Sequence, residues 1–210
     1  MAAETPWEEA LARDGIVVHR RAAAGSPLHE VCGRGVVEAK LARVLAVLRD
    51  VAHEPEWIPK CSDASILEHR GGSVHIAYHR TSLPWPVADR DVVVRSEMTV
   101  DPDRRVVRIV TISTKDARLP PRQGVVRVPA MRAHWLLAPS EDGRATHVEY
   151  QAFAEPGGWV PSFLARWVST ELPYETIVAL RAQVGRRRYD HLARVLAASP
   201  ELAPILVPAR

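Results

Sequence analysis

Residues 84–94 read PWPVADRDVVV. Two prolines stiffen the chain around Trp85, three charged residues follow, and a β-branched strand begins at once. A loop that holds a large aromatic beside a buried strand is expected to cover something. The strand runs on to about residue 101, and alternation splits it into two faces. Val92, Val94, Ser96, Met98 and Val100 share one face, and Arg95, Glu97 and Thr99 share the other. The first face is expected to look inward.

Around this strand lie others. Strand-like runs cover roughly 63–70, 73–83, 91–101, 104–114, 124–138 and 144–155. They are separated by the turn signals RGG, PWPVAD, DPDR, RLPPRQG and SEDGR. Such regular spacing predicts consecutive antiparallel strands rather than β-α-β units. Alternation sets Met131, Ala133 and Trp135 against Arg132 and His134, and Val148, Tyr150 and Ala152 against His147, Glu149 and Gln151. The first members of each set are candidates for the inner face.

Upstream, TPWEEALARDG predicts a short helix that Thr5 caps, Pro6 opens and Gly15 ends. GIVVHRRAAAG and LHEVCGRGVVEA predict two strands joined by a GSP turn. From Leu41 the period changes: Leu41, Val44, Leu45 and Leu48 follow helical spacing up to HEPEW. Downstream of the sheet the pattern is helical, with a short helix near 161–170, a break at Pro173 and a longer helix from about 172. Residues 1–197 are expected to form one domain, followed by a proline-rich tail, 198–210, across the surface. The architecture is α+β, and the long helix is the natural cover for the apolar face of the sheet.

Composition narrows the function. Of 210 residues, 47% are hydrophobic and 25% charged, as in ordinary globular proteins. The net charge of +3 does not call for a nucleic-acid partner. There is no secretory signal at the start and no apolar run of about 20 residues, which predicts a soluble, cytoplasmic protein. Cys32 and Cys61 are then expected to be free thiols.

In order along the chain, the pieces DGIVVHRR, Trp57, PWPVADRD, the VR at 126–127, and GGWVPSFLARW with LPYETIVALR resemble START domains. This is the lipid-transfer family named after the steroidogenic acute regulatory protein, and the resemblance is greatest to its bacterial members within the helix-grip superfamily. The resemblance implies a curved antiparallel sheet wrapped around a long C-terminal helix, enclosing an apolar cavity. It places the 84–89 loop beside that helix at the entrance, so that Trp85, Pro86 and Val87 face Phe163, Leu164 and Trp167. Val94, Ser96, Met98, Met131, Trp135 and Tyr150 are the candidate lining. The buried acid and arginine of sterol-handling relatives fall at Ala77 and Ser96, so that ion pair is missing. A fatty acid, an isoprenoid or a polyketide remains as the guest.

Chemistry beyond binding finds little support. His75 and His79 have the i, i+4 spacing of zinc ligands on a helix, but on a strand they stand about 13 Å apart. CGRG lacks the setting of a dinucleotide motif, and there is no nucleophile elbow or P-loop. No cofactor, metal or catalytic set is expected. The partners implied are one hydrophobic small molecule or lipid and, through Arg181, Arg186, Arg187, Arg188 and Arg194, peripheral contact with an anionic membrane. The chain is expected to be monomeric. The alternative within the same superfamily is a polyketide aromatase or cyclase, which needs a positioned acid or base. Only Tyr78, His79 and Tyr150 are candidates for it.

Overall fold

Asp14 and Gly15 both take left-handed φ values, 52° and 68°, and Arg13 pairs directly with Ile16. That is a two-residue primed hairpin turn, for which Asp-Gly is a strong signal. The segment expected to be a helix is therefore a strand, β1 (Glu8–Arg13), antiparallel to β2 (Ile16–Ala22). Once the turn reverses the chain onto β2, pairing outweighs the modest helix preference of EEALAR.

A computed structural model describes residues 5–23, 26 and 28–206. Gly25 and Pro27 of the expected turn lie outside them. The chain continues through β3 (His29–Val37), α1 (Leu41–Leu48), a 3-10 turn (Val51–Glu56), β4 (Cys61–His69) and β5 (Val74–Thr81). Next come β6 (Asp89–Asp101), β7 (Val106–Ser113), β8 (Val125–Arg127), β9 (Ala130–Pro139) and β10 (Thr146–Glu155). It closes with α2 (Ser162–Gln183), α3 (Asp190–Ala197) and α4 (Ala203–Leu206). The strand order is β1-β2-β3-β10-β9-β7-β6-β5-β4, antiparallel throughout, with short β8 pairing in parallel with the start of β6. The expected run 124–138 is thus two strands. Pro129 separates them, and β8 turns aside so that Arg127 meets Asp91.

The expected break at Pro173 does not occur. α2 passes through it. A proline in a helix interior costs about 3 kcal/mol or more through a lost hydrogen bond and a steric clash. Here the ring is buried, and β3 presents Gly33 beneath it: a Cβ on Gly33 would come within 3.1 Å of Pro173 and Ile177. Close packing of the helix on the sheet offsets that cost. The helix ends instead at Gln183, where Arg43 of α1 donates to the carbonyls of Val184 and Arg186, both at 2.7 Å.

Two halves of α2 do different work. Tyr174, Ile177 and Leu180 of its C-terminal half join α1 with Ile16, Val18, Val37, Leu137 and Val148 in the main core. Leu202 and Ile205 complete this core, so the tail expected on the surface docks as far as residue 206, and 207–210 lie outside the described residues. Two apolar side chains three residues apart, on one face of the last described turn, gain from leaving water. The convex face of the sheet has its own cluster, Ile76, Tyr78 and Val93, packed under Leu119. Among the described residues no helix is long and apolar enough to cross a membrane. Cys32 and Cys61 are free.

Candidate functional site

The N-terminal half of α2 stands over the sheet without filling the space beneath it. A cavity of about 330 Å³ remains, within the range of small-molecule sites. Leu164, Ala165, Trp167, Val168, Leu172 and Thr176 of α2 form one wall. Val92, Val94 and Ser96 of β6, Ile109 and Thr111 of β7, Met131, Ala133 and Trp135 of β9, and Tyr150 and Ala152 of β10 form the opposite one. The connection after α1 closes an end with Val51, Glu54, Trp57, Ile58 and Cys61, and His75 and His79 come from β5.

The expected lining divides cleanly. Val94, Ser96, Met131, Trp135, Tyr150, Leu164 and Trp167 line the cavity. Met98 lies on the same face of β6 but farther along, inside the main core. Trp85 is 92% exposed and Phe163 60% exposed, so neither covers the other, and Pro86 is exposed while Val87 is buried. Leu83, not singled out from sequence, is the residue of this loop region that reaches the cavity. A proline-flanked tip projects its side chain away from the sheet, whereas Leu83 still follows the alternation of β5.

Ionic contacts fix the loop, with partners other than those next in sequence. Arg80 Nε and Nη2 donate to Asp89 at 3.0 and 2.7 Å, and the Leu83 amide donates to it at 3.1 Å. Asp91, its side chain fully buried, accepts from Arg127 at 2.7 and 3.1 Å. Arg90 then has no carboxylate hydrogen-bonded to it among the described residues. It donates to the carbonyls of Ala88 at 2.5 Å, Trp159 at 2.9 Å and Gly157 at 3.3 Å. Burial holds its pKa below the ordinary guanidinium value, against the pull of Asp89. Arg90 thereby ties the 84–89 loop to the segment that leads into α2.

Polarity within the cavity is sparse. Ser96 and Thr111 satisfy each other at 2.9 Å. Trp135 stacks on Tyr150 with centroids 4.6 Å apart, and burial, with Glu54 nearby, pushes the Tyr150 phenol up to about 12. His75 is held below the ordinary imidazole value by burial and by repulsion from His69 and His79. Of the three acid–base candidates, His79 and Tyr150 face the cavity, whereas Tyr78 lies in the convex cluster. Glu54 escaped the sequence reading because it lies in an irregular turn where no periodicity assigns a face.

A protein-family model described as START domain matches residues 15–188. An uncharacterised protein of Pseudomonas aeruginosa is 31% identical over 181 residues, 86% of this chain and 88% of that protein. Phosphatidylcholine transfer protein from Bos taurus is 30% identical over 166 residues, 78% of this chain and 76% of that protein. Among solved structures, a STAR-related lipid transfer protein fragment from Xanthomonas axonopodis superposes with a TM-score of 0.77 at 33% identity, covering 86% of this chain and 99% of that one. The Zhui aromatase/cyclase from a Streptomyces species, at 19% identity and a TM-score of 0.53 over 76% of this chain and 94% of that one, shares the fold alone. With its curved antiparallel sheet, its long C-terminal helix and these relatives, the chain belongs to the START domain family.

Proposed function

We propose that this chain binds a single lipid in the cavity and carries it between membranes. The observation that carries the reading is an apolar space roofed by half a helix that the core does not need. The names of the bovine and Xanthomonas relatives support it. The guest is an acyl or isoprenoid chain, since most of the wall's surface is apolar and Ser96 and Thr111 already satisfy each other. Each methylene buried there contributes roughly 0.8 kcal/mol. Native mass spectrometry of the purified chain, followed by lipid extraction, is expected to recover one lipid per protein. Ser96→Leu, which narrows the space and leaves Thr111 without its partner, is expected to weaken retention of it. A wild-type protein that stays empty with every lipid offered overturns the reading.

In this reading the 84–89 loop and the start of α2 are the gate, and Arg90 is its latch. Arg90→Lys loses the planar guanidinium whose Nη1 holds the Ala88 carbonyl while its Nη2 reaches those of Gly157 and Trp159. It is expected to speed uptake and release of a fluorescent fatty acid by about tenfold, equivalent to about 1.4 kcal/mol of barrier, with equilibrium affinity little changed. A second reading, a polyketide aromatase or cyclase, draws on the ionisable Glu54, His79 and Tyr150 on the cavity wall. Recovery of an aromatic polyketide in place of a lipid would favour it.

A further inference from the structure

Three donor side chains converge on the cavity wall with no part in holding an apolar chain. Glu54 comes from the 3-10 turn, Cys61 opens β4 and His79 sits in β5. One carboxylate oxygen, the sulfur and one ring nitrogen lie within 4.8 Å of one another. Glu54 is only 9% exposed, yet its Oε2 has no hydrogen bond. His79 Nδ1 stands 2.8 Å from that oxygen, in contact but off the line of a hydrogen bond. Trp57 Nε1, on the same wall, is likewise buried without an acceptor. A carboxylate taken out of water without hydrogen-bond compensation costs several kcal/mol. The contact with His79 brings positive charge to Oε2 only when the ring is protonated, and a cation between the two would satisfy both.

We propose that Glu54, Cys61 and His79 form a site for one divalent cation of the zinc class, with its fourth position open to the cavity. Thiolate, imidazole and carboxylate are the donors that such a borderline-soft ion takes, whereas calcium and magnesium want oxygens in larger number. Donors on one tetrahedral zinc lie roughly 3.3–3.8 Å apart, so small side-chain rotations bring the three into range. Charge balances as well. With the thiol proton released to solvent, the thiolate, the carboxylate and a 2+ ion sum to zero, which an apolar enclosure tolerates. Three protein donors with one position open is the arrangement that accepts water or an oxygen of a guest.

The test uses the full chain, treated with a chelator and titrated with Co2+ alone, no lipid being added, so its outcome is separate from that of the lipid reading. One equivalent is expected to bind, with tetrahedral bands in the visible and a thiolate charge-transfer band in the near ultraviolet, and Zn2+ is expected to displace it. Cys61→Ser is expected to abolish the charge-transfer band, and His79→Gln to weaken binding by at least about tenfold. Thermal melting of both variants verifies their fold. Wild-type protein that takes up no Co2+, or a charge-transfer band that survives in folded Cys61→Ser, overturns the proposal.

Discussion

Glu30 shows how one buried charge makes the fold depend on pH. It lies in β3 with 6% of its surface exposed, where burial alone would raise its pKa. Arg21 donates to it at 2.7 Å and Gln151 at 2.7 Å, and these bonds outweigh burial, so the carboxyl sits below its ordinary value. A depressed folded pKa means that the unfolded chain binds the proton more readily. Stability from Glu30 is therefore present above the unfolded value, near about 4.3, and is lost as pH falls through the folded one. Glu30→Gln is expected to cost about 1–3 kcal/mol at pH 7. That deficit should shrink in urea titrations as pH falls through the folded value, because the wild-type group then becomes protonated too.

At the scale of elements, the decisive contact is α2 on β3. Gly33 and Gly35 give β3 a bare strip, and a Cβ at Gly33 would stand 3.1 Å from Ile177 Cδ1 and from Pro173 Cβ. At that distance a neighbour has to give by a few tenths of an ångström; Ile177 Cδ1 is a side-chain end, but Pro173 Cβ is held in its ring, so the strain falls on α2 at Pro173. Gly33→Ala is expected to destabilise the protein by about 1–3 kcal/mol, the usual cost of overpacking. It should also enlarge the cavity, because the same helix forms its roof. Gly72→Ala, in a turn with open space around the new methyl, is the control and is expected to stay within about 0.5 kcal/mol. Thermal melts of the two variants decide the matter.

The whole molecule sets two surfaces far apart. Trp85, Trp159 and Phe163 are exposed at the end where Arg90 joins the loop to α2. Arg186, Arg187 and Arg194 are exposed beyond the other end, while Arg188 pairs with Glu56 and Arg181 donates to the carbonyls of Val36 and Asp14. The 22 residues of α2 span about 33 Å, so the basic cluster does not flank the 84–89 loop. A lipid carrier would meet the bilayer with its aromatic end. An aromatic side chain moved out of water gains about 1.5–3 kcal/mol, against about 1 kcal/mol for a basic residue near an anionic surface. Trp85→Ser/Phe163→Ser is therefore expected to reduce co-sedimentation with vesicles by tenfold or more, and Arg186→Glu/Arg187→Glu to reduce it less. The reverse order would move the docking surface to the basic end.

What the sequence determined by itself was local and periodic. Alternation in β6, β9 and β10 assigned the inner faces that hold Val94, Ser96, Met131, Trp135 and Tyr150, and helical spacing found α1, because a side chain's direction in a regular element follows from counting residues. The motifs around Trp85 and Gly157 carried the family. Tertiary structure decided what counting does not reach. Whether EEALAR became helix or strand depended on β2 lying beside it, and Pro173 stayed inside a helix because Gly33 made room below. Leu202 and Ile205 were buried by a core built from distant elements. The meeting of Glu54, Cys61 and His79 joins an irregular turn to two strands, so no spacing along the chain contains it. Direction within an element is a short-range property of the backbone, whereas company across elements is settled only when the sheet closes around α2.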